Sequence, residues 1–431
     1  MPGERIVLAT IGSLGDLYPF LAIGRALAER GARPVIAGAE SHMRFVEAAG
    51  LEGAPIYPDI ETYVQAAGYE DFESWTERAA GDPDFLLREG ALRFLPQSAA
   101  ALDRIAEGAD GVVGSSLAFA APMVAERRGL PFVAAVLSPM LLFLTNDPPT
   151  LPGLPPLARK PRTPLHRRWN DLIRTIVALE MRRRFGRDLK RTRRDLGLEG
   201  SGAVPLFAFG RSGPARLGLF SPQLLAADAR LPAEMNVTGY CWRQSREPMP
   251  EGLSRFLDDG PPPLVFSLGS FAVFAERGFY ERSVEAARRL GRRAVLLTGM
   301  ERPVRPVAGD DVYVADYAPH EDVFPRAAAV IHHGGVGTSA RALAAGVPQL
   351  VVPHLGDQWD NAARLERLGL ALSLDHEDYK VEAAAGRLAT LTKDLRYAEA
   401  AREQASIVGR EDGAGTAAEE ILARLARRPA A

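Results

Sequence analysis

Short apolar segments alternate with helix-like segments along this chain, and this alternation constrains the possible folds more than any other feature. A short apolar run bounded by Gly or Pro predicts a buried strand, and an amphipathic stretch after it predicts a helix on the face of a parallel sheet. Repetition of this unit is typical of doubly wound α/β sheets. In the first part of the chain, strands are expected at residues 6–11, 34–37, 54–57, 111–114 and 131–136, with helices at 43–49, at 119–128 and from Pro19 to Gly31.

The alternation restarts in the second half of the 431 residues. Apolar runs at 264–268, 294–298, 312–315, 328–332 and 349–352 predict a second parallel sheet. We therefore expect two Rossmann-like domains that face each other across a cleft, with ligands at the carboxyl ends of the strands. The expected units are residues 1–238, residues 239–410 and a terminal helix in 411–431 that packs back on the first domain.

Composition excludes several classes of protein. The 52 basic residues are balanced by 54 acidic ones, without the basic excess of nucleic-acid-binding proteins, so no nucleic-acid partner is expected. Cys241 is the only cysteine, which excludes intrachain disulfides and thiolate zinc sites and indicates a cytoplasmic protein. The uncharged stretch 129–146 contains two prolines and predicts a buried strand and loop rather than a membrane helix.

Residues 159–194 are strongly basic, with 14 Lys and Arg against three acidic residues. Apolar side chains, among them Trp169, Leu172, Ile176 and Leu179, lie between the bases. One interpretation is an arginine-rich amphipathic helix pair on the surface. The other is a docking face for an amphiphilic substrate or an anionic membrane, which would make the protein peripheral on the inner membrane face.

The most specific motif is HHGGVGT at residues 332–338, directly after an expected strand and before an expected helix. Free backbone N–H groups at a helix N-terminus bind phosphate, and glycines let the backbone approach the ligand closely. A tight turn with two packed histidines is the simpler alternative. The glycine spacing also matches a dinucleotide fingerprint, but the acid about 20 residues beyond it, Asp357, lies past the next strand.

Two further motifs follow expected strands. Residues 12–16 (GSLGD) end the first apolar run, and Asp16 is placed there as either a helix N-cap or a general base. Residues 353–358 (PHLGDQ) end with an acid and an amide that can bind neighbouring hydroxyl groups, or cap a helix. Asp82-Pro83-Asp84 is expected to be a turn and helix start rather than a metal site.

Together, these segments resemble nucleotide-sugar glycosyltransferases of the GT-B fold, the large inverting family with plant natural-product, macrolide, glycopeptide, sterol and rhamnolipid enzymes. The resemblance is carried by GSLGDLYP (12–19), YAPH (317–320), HHGGVGT (332–338) and VPQLVVPHLGDQWDN (347–361). The bacterial rhamnosyltransferase type is the most similar. The resemblance is specific at both ends and in the second domain, and thin over residues 58–240.

The resemblance implies a role for each matching residue. Asp16 occupies the position of the catalytic base, with Ser13 beside it. The donor diphosphate would contact His333, Gly335, Gly337 and Thr338, with Ser270 and Gly15 from facing loops. Tyr317 stands where plant members stack a Trp on the nucleotide base, and His320 where they carry Gln. Asp357 and Gln358 match the pair that binds the sugar hydroxyls, while Leu141, Phe143 and Phe271 would contact an apolar acceptor.

The implied reaction is an inverting transfer of a hexose from a UDP- or dTDP-sugar to a hydroxyl of an apolar small molecule or lipid, without metal or cofactor. Residues 1–238 would bind the acceptor and 239–410 the donor. Two positions depart from the plant pattern: residues 111–116 contain no acid, and Arg341 replaces a ribose-binding Glu, which leaves a deoxyribose donor open. A sugar-nucleotide epimerase of the same fold is the alternative, although it would need more acids in the first domain.

Overall fold

The computed structural model describes residues 3–207, 215–242, 248–269, 278–299 and 309–426 and contains two parallel sheets, which confirms the predicted fold class. The seven strands of the first sheet are β1 Arg5–Ala9, β2 Arg33–Ala39, β3 Glu52–Tyr57, β4 Gly111–Ser115, β5 Phe132–Val136, β6 Ala215–Gly218 and β7 Met235–Val237. The six strands of the second are β8 Leu264–Ser267, β9 Ala294–Leu297, β10 Val312–Ala315, β11 Ala329–His332, β12 Gln349–Val351 and β13 Ala371–Ser373.

Helices cover both faces of each sheet. Those of the first part of the chain are α1 Leu14–Glu29, α2 Met43–Ala48, α3 Ile60–Ala66, α4 Phe72–Gly81, α5 Pro83–Leu87, α6 Leu95–Ile105, α7 Ala120–Arg128 and α8 Pro164–Asp195. Those that follow are α9 Glu251–Asp258, α10 Phe279–Arg289, α11 His320–Val323, α12 Val336–Ala345, α13 Gln358–Arg367, α14 Val381–Lys393, α15 Leu395–Val408 and α16 Gly413–Ala426.

The strand order places the ligand crevice in each sheet. The first sheet runs β3-β2-β1-β4-β5-β6-β7 and the second β10-β9-β8-β11-β12-β13. In both, the order reverses beside the first strand, so β1/β4 and β8/β11 are the switch points at which open α/β sheets bind ligands. The GSLGD motif follows β1 and the HHGGVGT motif includes the end of β11, so each lies at a switch point.

Two expectations about helices are wrong. Helix α1 begins at Leu14 rather than Pro19. Ser13 is its N-cap, and Asp16 in the first turn completes a capping box with Ser13. These bonds fix the start of the helix five residues before Pro19, although proline favours the first turn of a helix. The basic segment forms one 32-residue helix, α8, rather than a pair. Gly186 lies inside this helix, packed closely against the Gly202 backbone, and does not end it.

The two sheets share a hydrophobic cluster that spans the domain boundary. Leu142, Leu144 and Tyr240 from the first part of the chain pack with Val351 and Leu365 of the second. Helix α16 returns to the first sheet, where its buried residues join the core that contains Leu17 and Phe20; these are Ala417, Ala418 and Ile421. The loop before α16 is fixed as well, since Ser221 Oγ and Tyr240 N donate to the Glu411 carboxylate over 2.5 and 3.2 Å.

A buried ion cluster also joins the two parts. Arg364 of α13 is 3% exposed and donates to Asp360 Oδ2 (2.6 Å) and to Asp147 Oδ2 (2.5 Å), which belongs to the loop after β5. Asp360 accepts in turn from Thr150 N over 2.9 Å. Burial opposes ionisation of Asp147, but its ion pairs with Arg364 and Arg367 outweigh this and lower its pKa. Helix α13 is therefore held against the first domain by charge as well as by packing.

Candidate active site

Asp16 lies at the carboxyl end of β1 with its carboxylate held by the turn before α1. Ser13 N donates to Asp16 Oδ2 over 2.8 Å, and Ser13 Oγ donates to the same oxygen over 3.1 Å. Gly12 has a φ of +135°, and a Cβ there would lie 2.3 Å from Asp16 Oδ2, so only glycine fits. The N-cap is Ser13, Asp16 completes the capping box, and Asp16 as a whole is partly exposed.

The electrostatic surroundings of Asp16 suit a general base. Burial raises its pKa from 3.8 to about 6, the hydrogen bonds from Ser13 act against that rise, and the charge of Asp357 adds to it. A carboxylate with a pKa near 6 is ionised at neutral pH and still a better proton acceptor than an ordinary Asp. Asp357 belongs to the second domain, so a charge of that domain acts on Asp16.

His333 sits between two glycines of the second domain. A Cβ on Gly269 would lie 2.6 Å from His333 Cε1, and a Cβ on Gly335 would lie 2.2 Å from His333 Nε2. Burial lowers the pKa of His333 well below its usual value, so the ring is neutral and can donate one N–H. Its Nδ1 is buried and has no hydrogen-bond partner among the described residues. The ring is thus fixed in place between the two glycines and beside the backbone of Ser267.

His332 has a different environment and holds the turn. Its ring is fully buried, Nε2 lies 2.8 Å from Gln349 Oε1, and Gly334 N donates to Nδ1 over 3.0 Å. Since the Gln349 oxygen can only accept, His332 carries its proton on Nε2. Burial lowers its pKa to about 4, so this neutral form persists at physiological pH. His332 therefore positions the backbone of Gly334, next to His333.

The N-terminus of α12 is uncapped. Its N-cap is Gly335, which has no side chain to accept from the first turn. Among the described residues, the N–H groups of Val336, Gly337 and Thr338 have no acceptor, and a Cβ on Gly337 would meet no atom within 4 Å. Free amides and the positive end of the helix dipole thus lie beside His333, an arrangement that binds anions.

Asp357 and Gln358 begin α13, on the same side of the second sheet. Asn361 Nδ2 donates to Asp357 Oδ2 (3.0 Å) and to Gly334 O (2.9 Å), and Ser138 Oγ of the first domain lies 3.4 Å from Asn361 Oδ1. Burial raises the pKa of Asp357, while bonds from Asn361 and Ser138 act against this. Gln358 Oε1 accepts from His354 N and Leu355 N, so its amide orders the loop before the helix.

The residues predicted to bind the nucleotide lie on a neighbouring edge. Tyr317 follows β10 and lines an open groove with Pro248, Pro250 and Tyr313. His320 stacks on Phe324 with ring centroids 4.3 Å apart, and burial lowers its pKa to about 4. Arg341 lies over the ring of Trp242 at 5.0 Å and 3.9 Å from the Glu321 carboxylate. Many UDP-sugar enzymes have Glu at this position, whereas this chain has Arg341 paired with Glu321.

The predicted acceptor residues are only partly open. Leu141 is half-buried, whereas Phe143 is 2% exposed with a φ of +43°, an unusual value for a residue with a side chain. Ser270 and Phe271 lie outside the described residues. Gly15 is exposed and its N–H donates to Ser13 Oγ over 3.2 Å. Of these two residues, only Leu141 is therefore open in part to a ligand.

Three residues of this site were not predicted from the sequence. Asn361 could have been found, because it lies four residues after Asp357 on a helix, where two side chains meet. Gln349 is a polar residue in a buried strand, which signals a buried partner such as His332. Ser138 offers no such signal, since its contact with Asn361 depends on how the two domains dock.

In the ranges that the structure describes, His, Cys, Asp and Glu side chains form no group of three or more able to hold a metal ion. No helix in the same ranges combines the length and apolar character needed to cross a membrane.

Comparison with known proteins places the chain in a family. Residues 294–426 match the family described as erythromycin biosynthesis protein CIII-like, C-terminal domain. The O-mycaminosyltylonolide 6-deoxyallosyltransferase of Streptomyces fradiae is 33% identical over 95% of this chain and 94% of its own length. The vancomycin aglycone glucosyltransferase of Amycolatopsis orientalis is 29% identical, with 98% of both chains covered.

The fold of this chain is also found in solved glycosyltransferase structures. The crystal structure of glycosyltransferase VinC in complex with dTDP superposes with a TM-score of 0.69 at 19% identity, over 98% of this chain and all of that one. The chain therefore belongs to the GT-B nucleotide-sugar glycosyltransferases that include macrolide, glycopeptide and sterol enzymes, and it is itself a glycosyltransferase. This confirms the family and the enzyme class indicated by the sequence motifs.

Proposed function

We propose that this enzyme transfers a hexose from a dTDP-sugar to a hydroxyl of an apolar acceptor, with inversion at the anomeric carbon and Asp16 as general base. The observation that carries the proposal is the contact of Ser138 Oγ with Asn361 Oδ1 over 3.4 Å, which joins the first domain to the residue that binds Asp357, beside an uncapped helix N-terminus. A base from one domain and the expected sugar-binding residues of the other thereby face a common space. The first domain, 1–238, binds the acceptor and the second, 239–410, binds the donor.

Asp16 takes the proton of the acceptor hydroxyl as that oxygen attacks the anomeric carbon. The new bond joins the acceptor oxygen to the sugar, the bond between the anomeric carbon and the diphosphate oxygen breaks, and the diphosphate leaves with the electron pair. Ser13 binds Asp16 Oδ2 with its N–H and hydroxyl, which orients the carboxylate for this step. Ser13 is therefore proposed as a positioning residue rather than a proton acceptor.

The negative charge that develops on the leaving diphosphate is stabilised by His333 and the first amides of α12. Fixed donors of this kind stabilise a transition state well, because they need no reorganisation during the reaction. Gly337 and Thr338 supply two of these amides, and Gly335 is the N-cap residue that precedes them. Ser270 is proposed to face them. Asp357 and Gln358 bind the sugar hydroxyls and hold the anomeric carbon towards the acceptor.

The donor is proposed to carry a deoxyribose. Arg341 stacks on Trp242 and pairs with Glu321, so no carboxylate at that position accepts from ribose hydroxyls. The structural neighbours solved with dTDP or thymidine diphosphate support the same choice. Tyr317 and His320 are proposed to contact the nucleoside from the groove beside β10.

The acceptor is proposed to be bulky and apolar. The loop after β5 is rich in leucine: Leu141 is half-buried, and its neighbours Leu142 and Leu144 are buried. The relatives named above act, by their names, on O-mycaminosyltylonolide and on the vancomycin aglycone, and a third acts on a sterol. Relatives of this kind favour transfer over the epimerase considered from sequence.

The direct test is incubation of the enzyme with dTDP-glucose, dTDP-rhamnose, UDP-glucose and a panel of macrolide, sterol and aromatic alcohols. We expect transfer from a dTDP-sugar and an inverted anomeric configuration by NMR. Products with retained configuration, or sugar-nucleotide epimers without an acceptor product, would contradict the proposal. Transfer only from UDP-sugars would contradict the donor assignment alone.

The two neighbouring histidines should respond differently to substitution. His333→Ala is expected to weaken dTDP binding by about 1.5–3 kcal/mol, the scale of a hydrogen bond to a charged group. His332→Gln retains a side chain that can bond to Gln349, and should weaken dTDP binding less, because His332 acts only through the Gly334 backbone. Isothermal titration with dTDP measures both, and equal losses would show that His333 does not contact the diphosphate.

A further inference from the structure

Helix α8 has two apolar faces, of which one is covered. Ile173 and Leu189 are buried against the first domain. On another side, large apolar side chains are 45–74% exposed: Leu165, Trp169, Leu172, Ile176 and Leu179. Their spacing of four, three, four and three residues places them in one row, about 21 Å long at 1.5 Å per residue.

A row of this kind is unusual on a protein surface. Single exposed apolar residues are ordinary, whereas a contiguous patch marks an interaction site. The other large apolar side chains exposed in the described ranges are Ile60, Leu395 and Ile407, and they do not form a row on one helix. The exposed face of α8 therefore has the character of an interface.

The same face of α8 continues as a basic row. Arg183, Arg187, Lys190 and Arg194 follow Leu179 at spacings of four, four, three and four residues. Residues 159–194 carry a net charge of +11, from 14 bases and three acids. Ion pairs within 4 Å involve only four of these bases, and the other ten form none with any described residue; the four are Arg174, Arg183, Arg184 and Arg193.

We propose that this face of α8 docks the enzyme on an anionic lipid surface, independently of which sugar the enzyme transfers. The apolar row enters the boundary between headgroups and acyl chains, and the unpaired bases contact the headgroups. A second copy of the chain fits less well. Antiparallel pairing about Leu172 would leave the basic row beyond the start of the partner's α8, next to residues 150–161, which contain no acid. Parallel pairing would align each base with itself, so like charges would meet.

Flotation of the full chain with vesicles tests the basic row. We expect binding to vesicles that contain phosphatidylglycerol at low salt, weak binding to pure phosphatidylcholine, and release at high salt. The triple variant Arg187→Glu, Lys190→Glu, Arg194→Glu should partition about 100-fold more weakly, at roughly fivefold per base. The matched control, Arg387→Glu, Lys393→Glu, Arg402→Glu, reverses three exposed bases of the second domain and should bind like wild type.

A second pair of variants tests the apolar row. Leu172→Ser with Ile176→Ser should reduce partitioning about tenfold or more, whereas Leu395→Ser with Ile407→Ser on α15 should not. Unchanged donor hydrolysis shows that each variant is folded. Absence of flotation at low salt, or equal losses in variants and controls, would overturn the proposal. So would a dimer in sedimentation that the Leu172 and Ile176 changes dissociate, without vesicle binding.

Discussion

Asp16→Asn is expected to lower turnover by about 10²–10⁴-fold, the usual contribution of a general base, while dTDP binding stays the same. Asn can still accept the bonds from Ser13, so α1 keeps its cap, but its amide cannot take a proton at neutral pH. Steady-state transfer rates measure the first effect and titration calorimetry the second. The matched control is Asp394→Asn, which changes the capping Asp of α15 in the second domain.

The pH dependence of the same reaction identifies the base. Because burial raises the pKa of Asp16 to about 6, kcat/KM should fall as the pH drops below about 6 and protonates the carboxylate. The bond from Ser13 Oγ lowers this pKa, so Ser13→Ala should move the acid limb to higher pH. If Asp16→Asn retains near wild-type turnover with an unchanged acid limb, Asp16 is only a capping residue and another group is the base.

Arg364→Met is expected to lower the free energy of unfolding by about 3–5 kcal/mol, because removal of one partner leaves buried charges without compensation. Arg364 is 3% exposed and neutralises both Asp147 and Asp360. Urea unfolding measures the loss. Arg255→Met breaks an ion pair with Glu251, both largely exposed, and should cost about 1 kcal/mol or less. Equal losses in the two variants would show that the buried cluster contributes no more than a surface pair.

The fold was largely predictable because the strands of a doubly wound sheet are buried on both faces and appear as apolar runs. The run at 312–315 coincides with β10, and the run at 264–268 extends one residue beyond β8. Strands β6, β7 and β13 were not predicted, since runs of three or four residues that include Arg216, Asn236 or Ser373 carry no periodic signal. The start of α1 was missed because Pro19 is a familiar helix-start signal, although here it lies in the second turn.

The site was predictable where it depends on single motifs, and less so where it depends on docking. Asp16, the 332–338 turn and Asp357 all lie at carboxyl ends of strands, as the sequence indicated. Their roles in catalysis remain predictions. The contact between Ser138 and Asn361, and the ion cluster around Arg364, join residues more than 200 positions apart. No local pattern encodes such contacts, because they form only when two separately folded sheets meet.

The return of α16 to the first sheet has a consequence for exchanging parts between relatives. The chain passes from the first domain to the second and back, and Glu411 anchors the return by bonds to Ser221 and Tyr240. A chimaera cut once, near residue 238, would pair the α16 of one parent with the α1 of another and mismatch a buried surface. A recombinant enzyme meant to combine one parent's acceptor range with another's donor range should therefore take residues 411–426 from the acceptor-side parent.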